Sequence, residues 1–164
     1  MGTGKTAVSR ILAKRYDKTV IEMDEWIERQ EGIAISEIFS GKGEHYFRKM
    51  EKDLVQDLSR KEDMIISTGG GVVLDPENIS LLEKNGFCVC LKASPEEILM
   101  RTAEESHRPL LAVKDPLKRI MSILEERKHL YDTIPYSVET DGISVMEVAD
   151  CICAMYENMP EGIR

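Results

Sequence analysis

Apolar positions along the chain alternate between helical spacing and short continuous runs. A helix is predicted from Lys5 to about Tyr16, then a short apolar strand from Thr19 to Met23. Helical segments cover Glu25–Gln30 and Ser36–Phe39. A longer one runs from about Gly43 to Arg60, with Phe47, Met50, Leu54 and Leu58 at helical spacing. Met64-Ile65-Ile66-Ser67 is a continuous apolar run ending in Gly69-Gly70-Gly71, the pattern of a buried parallel strand opening into a glycine loop. Pro76 starts a helix to about Asn85, and Phe87–Leu91 is the next buried strand. Ser94-Pro95-Glu96-Glu97 reads as a helix start: Ser as cap, Pro at the first position, acids in the first turn. The polar stretch Ala103–Asp115 interrupts the regularity and is expected to be a mobile lid. A helix from Pro116 to Tyr131, a strand from Tyr136 to Thr140 and an amphipathic helix from Val145 to Tyr156 close the chain. Strands alternating with helices predict an α/β fold with a parallel sheet, in one domain spanning residues 1–164.

Composition narrows the class of protein. The 164 residues are 42% hydrophobic and 32% charged, which suits a globular domain with a real core. The net charge of −8 argues against a nucleic-acid partner, because such a surface repels phosphate backbones. An anionic substrate must then be captured by a local cluster of Arg and Lys. No apolar run approaches the roughly 20 residues needed to span a membrane, and no signal-peptide pattern opens the chain. The expected location is cytoplasmic. The cysteines form two C-x-C pairs, Cys88/Cys90 and Cys151/Cys153, which lack the usual spacing of zinc ligands and read as buried thiols. His45, His107 and His129 are scattered, with no metal spacing among them.

The most specific chemistry lies at the start. Gly2-Thr3-Gly4-Lys5-Thr6 opening a helix matches the end of the phosphate-binding pattern G-x-x-x-x-G-K-[ST]. Glycines let backbone N–H groups curl around phosphates, and the helix N-terminus adds positive potential. Lys5 is placed to reach the β- and γ-phosphates of ATP, and the Thr6 hydroxyl to ligate Mg²⁺. Gly2, Thr3, Gly4, Lys5, Thr6 and Ala7 form the candidate nucleotide site. Counted back from Gly4, the first glycine of the pattern would fall ahead of Met1, and no strand precedes the loop. The expectation is a natural protein that begins about ten residues upstream, one strand plus the front of the loop.

Five further segments appear in order. They are Glu22-Met23-Asp24-Glu25-Trp26-Ile27-Glu28, Phe47-Arg48 with Glu51, Ser67-Thr68-Gly69-Gly70-Gly71, Arg108-Pro109-Leu110-Leu111, and Arg127 with Leu130-Tyr131. Together with the phosphate loop they resemble the shikimate kinase family over about residues 1–140. That resemblance implies a three-layer α/β/α P-loop fold of the nucleoside monophosphate kinase type, with a central parallel sheet whose first strand lies in the middle. It implies transfer of the γ-phosphate of ATP to the 3-hydroxyl of shikimate, with Mg²⁺, on the route to chorismate and the aromatic amino acids.

The resemblance assigns roles residue by residue. Asp24, just past a strand end, would accept the substrate hydroxyl proton or hold that hydroxyl in line with the γ-phosphate; alternatively it caps the following helix. Glu22 stands where the family has an Asp beside Mg²⁺, so the charge is kept and one methylene is added. Arg48 and Arg127 are candidates for the shikimate carboxylate, because Arg offers a bidentate fork. Their plainer role is pairing with Glu44 and Glu51, and with Glu125 and Glu126, respectively. Gly69, Gly70 and Gly71 would approach the polyol closely. Arg108 would close over the phosphates as part of the lid, acting in catalysis beside Lys5 and Asp24, and Arg101 would stack on adenine. The Pro that often forms the opposite adenine wall has no counterpart in Gly142–Met146. The expected partners are shikimate and ATP alone, on a monomer. Two other readings remain open: another small-molecule P-loop kinase, of the gluconate or nucleoside monophosphate type, and a non-catalytic nucleotide-binding protein with a shortened loop.

Overall fold

Residue alternation along the strands decides the layering. A computed structural model describes residues 2–103 and 114–159 of the chain. In chain order the elements are α1 (Lys5–Tyr16), β1 (Thr19–Glu22), α2 (Met23–Glu31), α3 (Ile35–Gly41), α4 (Gly43–Leu58), β2 (Met64–Ser67), a 3₁₀ turn (Val72–Leu74), α5 (Pro76–Asn85), β3 (Val89–Lys92), α6 (Pro95–Thr102), α7 (Pro116–Tyr131), β4 (Tyr136–Glu139) and α8 (Val145–Glu157). Successive strand residues face opposite sides of a sheet. On β2, Ile65 packs with Val8, Leu12, Val148, Ala149 and Ile152, so α1 and α8 cover that face. Met64 and Ile66 instead join Met23, Ile27, Ile38, Phe47, Leu54 and Val55, under α2, α3 and α4. Helices on both faces of parallel strands are the α/β/α arrangement expected from the sequence.

The strands form two parallel pairs. β1 lies beside β2 with Thr19 opposite Met64 and Glu22 opposite Ser67. β3 lies beside β4 with Val89 opposite Tyr136 and Lys92 opposite Glu139. Among the described residues no strand pairs with the second edge of β2 or of β3, so the sheet consists of two halves rather than one continuous ladder. A cavity of about 1600 Å³ runs between them, lined by Ile65, Ile66, Val89 and Leu91 and continuous with the glycine loops.

The helix boundaries follow local chemistry. The Ser94 and Asp75 side chains accept from the backbone N–H of Glu97 and Glu77, capping α6 and α5, each with Pro in the first turn. Asp115 accepts from the N–H of Lys118 and caps α7. Ser144 and Glu147 form a reciprocal capping box at α8. The third strand is shorter than predicted, since Phe87 and Cys88 precede β3. Cys90 and Cys153 are buried, but Cys151 is exposed, a correction to the reading of all four as buried thiols. The bulk of the expected lid, including Arg108 and His107, lies outside the described residues. Among the described residues no helix is long and apolar enough to cross a membrane.

Candidate active site

The phosphate loop is built by backbone conformations that only glycine adopts cheaply. Gly2 and Gly4 have φ of 66° and 84°, and Gly4 is the N-cap of α1. The first turn of α1 carries no acidic residue of its own, so nothing within the helix opposes the positive potential of its free N–H groups. Lys5 and Thr6 open the helix behind them. The Thr6 hydroxyl donates to Glu22 Oε2 at 2.9 Å. Ser9 Oγ lies 3.5 Å from Glu22 Oε1, and Arg10 Nε lies 3.9 Å from the same oxygen. Glu22 ends β1 and is the N-cap residue of α2, yet its side chain makes no capping bond. It reaches across to α1 instead.

This oxygen set suits Mg²⁺. That ion takes one or two protein oxygens, keeps several waters and uses phosphate oxygens for the rest. Thr6 Oγ1 and the Glu22 carboxylate, at the mouth of a phosphate loop, supply such a pair. Among the described residues no group of three or more His, Cys, Asp or Glu side chains forms a protein-only metal cage.

The second half of the site sits where β1 and β2 end. Asp24 lies in the first turn of α2 and is not its cap, so the capping alternative does not hold. Asp24 and Glu51 both abut the glycine loop: a Cβ added at Gly69 would lie 2.9 Å from Asp24 Oδ1 and 3.2 Å from Glu51 Oε1. Glu51 is buried in α4, with only 3% of its side chain exposed. Arg48, one turn earlier, donates to it at 2.7 Å and to Glu44 Oε1 at 3.1 Å and 3.2 Å. Burial pushes the Glu51 carboxyl above its ordinary range, against the opposing pull of Arg48. The Arg48 guanidinium also lies on the glycine loop, since a Cβ at Gly71 would come within 2.7 Å of its Cζ. Arg48 therefore pairs with both glutamates, as its plainer role required, while still facing the loop.

Arg127 behaves differently. Its Nη1 donates to the Gly70 carbonyl at 3.3 Å, beside the Tyr131 hydroxyl, which donates to the same carbonyl at 2.7 Å. Burial raises the Tyr131 phenol above its ordinary range, against the opposing pull of Arg127. Arg101, on α6, has its edges occupied. Nε donates to Glu97 at 2.8 Å, and Nη1 and Nη2 donate to the Thr140 hydroxyl and carbonyl at 2.8 Å each. Nη1 also lies 3.5 Å from the Gly2 carbonyl, which places this guanidinium beside the phosphate loop with its plane fixed. One cavity is lined by Gly2–Ala7, Glu22, Asp24, Arg48, Gly69–Gly71, Arg101 and Arg127. Of the candidate catalytic and binding residues, Arg108 alone lies outside the described residues. Glu51 and Tyr131 were not singled out as site residues. Their signals were the i, i+3 spacing from Arg48 and the i, i+4 spacing from Arg127, which put each pair on one helix face.

Comparison with known proteins agrees with this geometry. The shikimate kinase family model matches residues 1–157. A shikimate kinase of Caldanaerobacter subterraneus is 44% identical over 156 residues, covering 95% of this chain and 91% of the relative. One from Thermus thermophilus is 43% identical over 151 residues, covering 92% and 82%. Among solved structures, a shikimate kinase from Acinetobacter baumannii in complex with shikimate superposes with a TM-score of 0.91 at 31% identity, over 98% of this chain and 91% of that one. The shikimate kinase of Aquifex aeolicus gives 0.79 at 32% identity, over 96% and 91%. With its phosphate loop, strand-end carboxylates and paired arginines in one cleft, the chain belongs to the shikimate kinase family.

Proposed function

We propose that the chain phosphorylates the 3-hydroxyl of shikimate with ATP, and that the cleft divides into a phosphate half and a carboxylate half. The observation that carries this reading is the convergence of Asp24, Arg48 and Arg127 on one glycine loop, in the same cavity as the N-terminus of α1. In an acidic chain, this is where an anion meets two guanidinium groups. The substrate carboxylate is bound by Arg48 and Arg127, whose planar forks suit bidentate pairing. Binding it there turns the polyol towards Asp24.

Asp24 accepts the proton of the 3-hydroxyl as that oxygen attacks the γ-phosphorus. The new P–O bond forms while the bond from the γ-phosphorus to the β,γ-bridging oxygen breaks, and ADP leaves with that oxygen. Lys5 and the N–H groups of Gly2–Ala7 hold the β- and γ-phosphates and offset charge developing on the leaving oxygen. Thr6 and Glu22 hold Mg²⁺, which when bound neutralises charge on the phosphate oxygens. The fixed plane of Arg101 offers a face for adenine, and Arg108 supplies a further positive charge over the phosphates. Shikimate and ATP are the only partners this scheme requires, and it works in a monomer without nucleic acid.

The test is ADP release with shikimate, gluconate and CMP offered separately. Shikimate-dependent release is expected. Turnover of gluconate or CMP with none of shikimate would assign a different kinase, and tight ATP binding without turnover of any of the three would leave a nucleotide-binding protein.

A further inference from the structure

The carbonyls of the glycine loop are satisfied in two different ways. Gly69 O accepts from the N–H of Val72 at 3.3 Å, and Gly71 O from the N–H of Leu74 at 3.0 Å, so both are absorbed by the 3₁₀ turn. Among the described residues the Gly70 carbonyl has no such backbone partner. It points to the last turn of α7 and accepts from Tyr131 Oη at 2.7 Å and Arg127 Nη1 at 3.3 Å. The first is a normal O–H···O length, and the second is at the long end for N–H···O. The Tyr131 ring packs against the core cluster of Met23, Ile27 and Phe47 together with Leu130 and Ile134, which leaves the hydroxyl little freedom to move. A phenol is protonated at neutral pH, so the hydroxyl remains a donor there.

These two donors have unequal duties. Arg127 is the residue assigned above to the substrate carboxylate, and a fork there that includes Nη1 takes that donor from Gly70. A part-buried carbonyl that lost its only donor would carry a desolvation penalty, and this would oppose substrate binding. With Tyr131 in place the carbonyl keeps its shorter bond. The peptide between Gly70 and Gly71 is trans, so fixing the carbonyl also fixes the opposed Gly71 N–H. Gly71 in turn borders the Arg48 guanidinium.

We propose that Tyr131 is a positioning residue for the substrate carboxylate: its hydroxyl holds the Gly70 carbonyl, and so the glycine loop, when Arg127 swings to the substrate. The inference rests on the shikimate reading above. It makes Tyr131 specific for the carboxylate end of the substrate and indifferent to ATP.

The test compares the wild type with Tyr131→Phe, which keeps the ring and removes the hydroxyl, on shikimate and on its methyl ester. For shikimate, KM is expected to rise about three- to tenfold, the worth of one net hydrogen bond. Its kcat and the KM for ATP are expected to change less than about twofold, within the spread of a neutral change. For the ester, which gives Arg127 no charge to turn towards, KM is expected to be equal in the two proteins. Equal losses on both substrates, a raised KM for ATP, or no change on shikimate would overturn the proposal. A second measurement needs no variant. With tyrosine ¹³C-labelled at Cζ, shikimate is expected to shift the Tyr131 resonance and the ester to leave it in place; equal shifts with both ligands, or none, would overturn the proposal. Should the wild type turn over no shikimate, the underlying reading fails, and that result is separate from a wild type that is active while Tyr131→Phe is unaffected.

Discussion

Gly71→Ala isolates the contact between the glycine loop and Arg48. The backbone at Gly71 has φ −97° and ψ −4°, a conformation open to any residue, so alanine introduces no backbone strain. In the folded state its effect is the methyl group, which would occupy the space of the Arg48 guanidinium. Because that group ends a flexible side chain, the loop stays and Arg48 moves. Two terms then compete. Replacing glycine by alanine restricts the unfolded chain and stabilises by about 0.4–1 kcal/mol. Against this, Glu51 loses the partner that held its buried carboxylate at 2.7 Å. Breaking a buried pair costs about 3–5 kcal/mol when the remaining charge has no escape. Glu51 has one, because burial has already raised its pKa and it can take up a proton. The expected net destabilisation at pH 7 is therefore about 1–3 kcal/mol, or a fall in Tm of very roughly 2–12 °C for a domain of this size.

The sign of the pH dependence follows from the same group. A carboxyl whose folded pKa is raised binds its proton in the folded state before the unfolded state does. Its contribution to stability is present at low pH and is lost as pH rises from the ordinary carboxylate range through the folded value. Removing Arg48 from Glu51 extends that window upward. The deficit of Gly71→Ala against wild type should therefore be small near pH 4, where Glu51 is protonated in both, and should grow towards pH 7. Thermal melts across that range measure it, with shikimate KM as the companion assay, expected to rise while KM for ATP holds. A deficit that is constant with pH, or an unchanged KM for shikimate, would refute the link from Gly71 through Arg48 to Glu51.

Three other substitutions test the remaining parts of the cleft. Asp24→Asn is expected to leave ATP affinity intact in titration and to lower kcat by about 10²-fold or more, the order for a lost general base; near wild-type turnover would remove Asp24 from proton transfer. Arg127→Lys keeps the charge and loses the fork, so KM for shikimate should rise about tenfold with ATP affinity unchanged. Glu22→Gln removes a charge from the oxygen pair with Thr6, and a titration of ATP binding against Mg²⁺ should require more metal to reach half-saturation.

Local rules along the chain carried most of the secondary structure, because caps and apolar runs act within a few residues. Met64–Ser67, Pro76–Asn85 and Pro116–Tyr131 have the bounds their patterns predicted, and the caps at Ser94, Asp75 and Ser144 lie where short polar residues precede a helix. The phosphate loop was equally legible, since its chemistry is a property of neighbouring backbone groups. What spacing alone left open was partnership across the fold. Arg48 and Arg127 each stand near glutamates on an acidic helix, and nothing in their spacing separates them. The structure gives Arg48 its glutamates and turns Arg127 to the Gly70 carbonyl, 57 residues earlier in the chain. Asp24 could have capped a helix, and only the start of α2 at Met23 removed that alternative. The role of Tyr131 needed the tertiary contact as well, because the carbonyl it holds belongs to a loop that meets α7 only when β2 and the helices around it have packed. Short-range hydrogen bonding is written into neighbouring residues, whereas the direction of a long side chain depends on which charged and polar groups the packed layers bring within its reach.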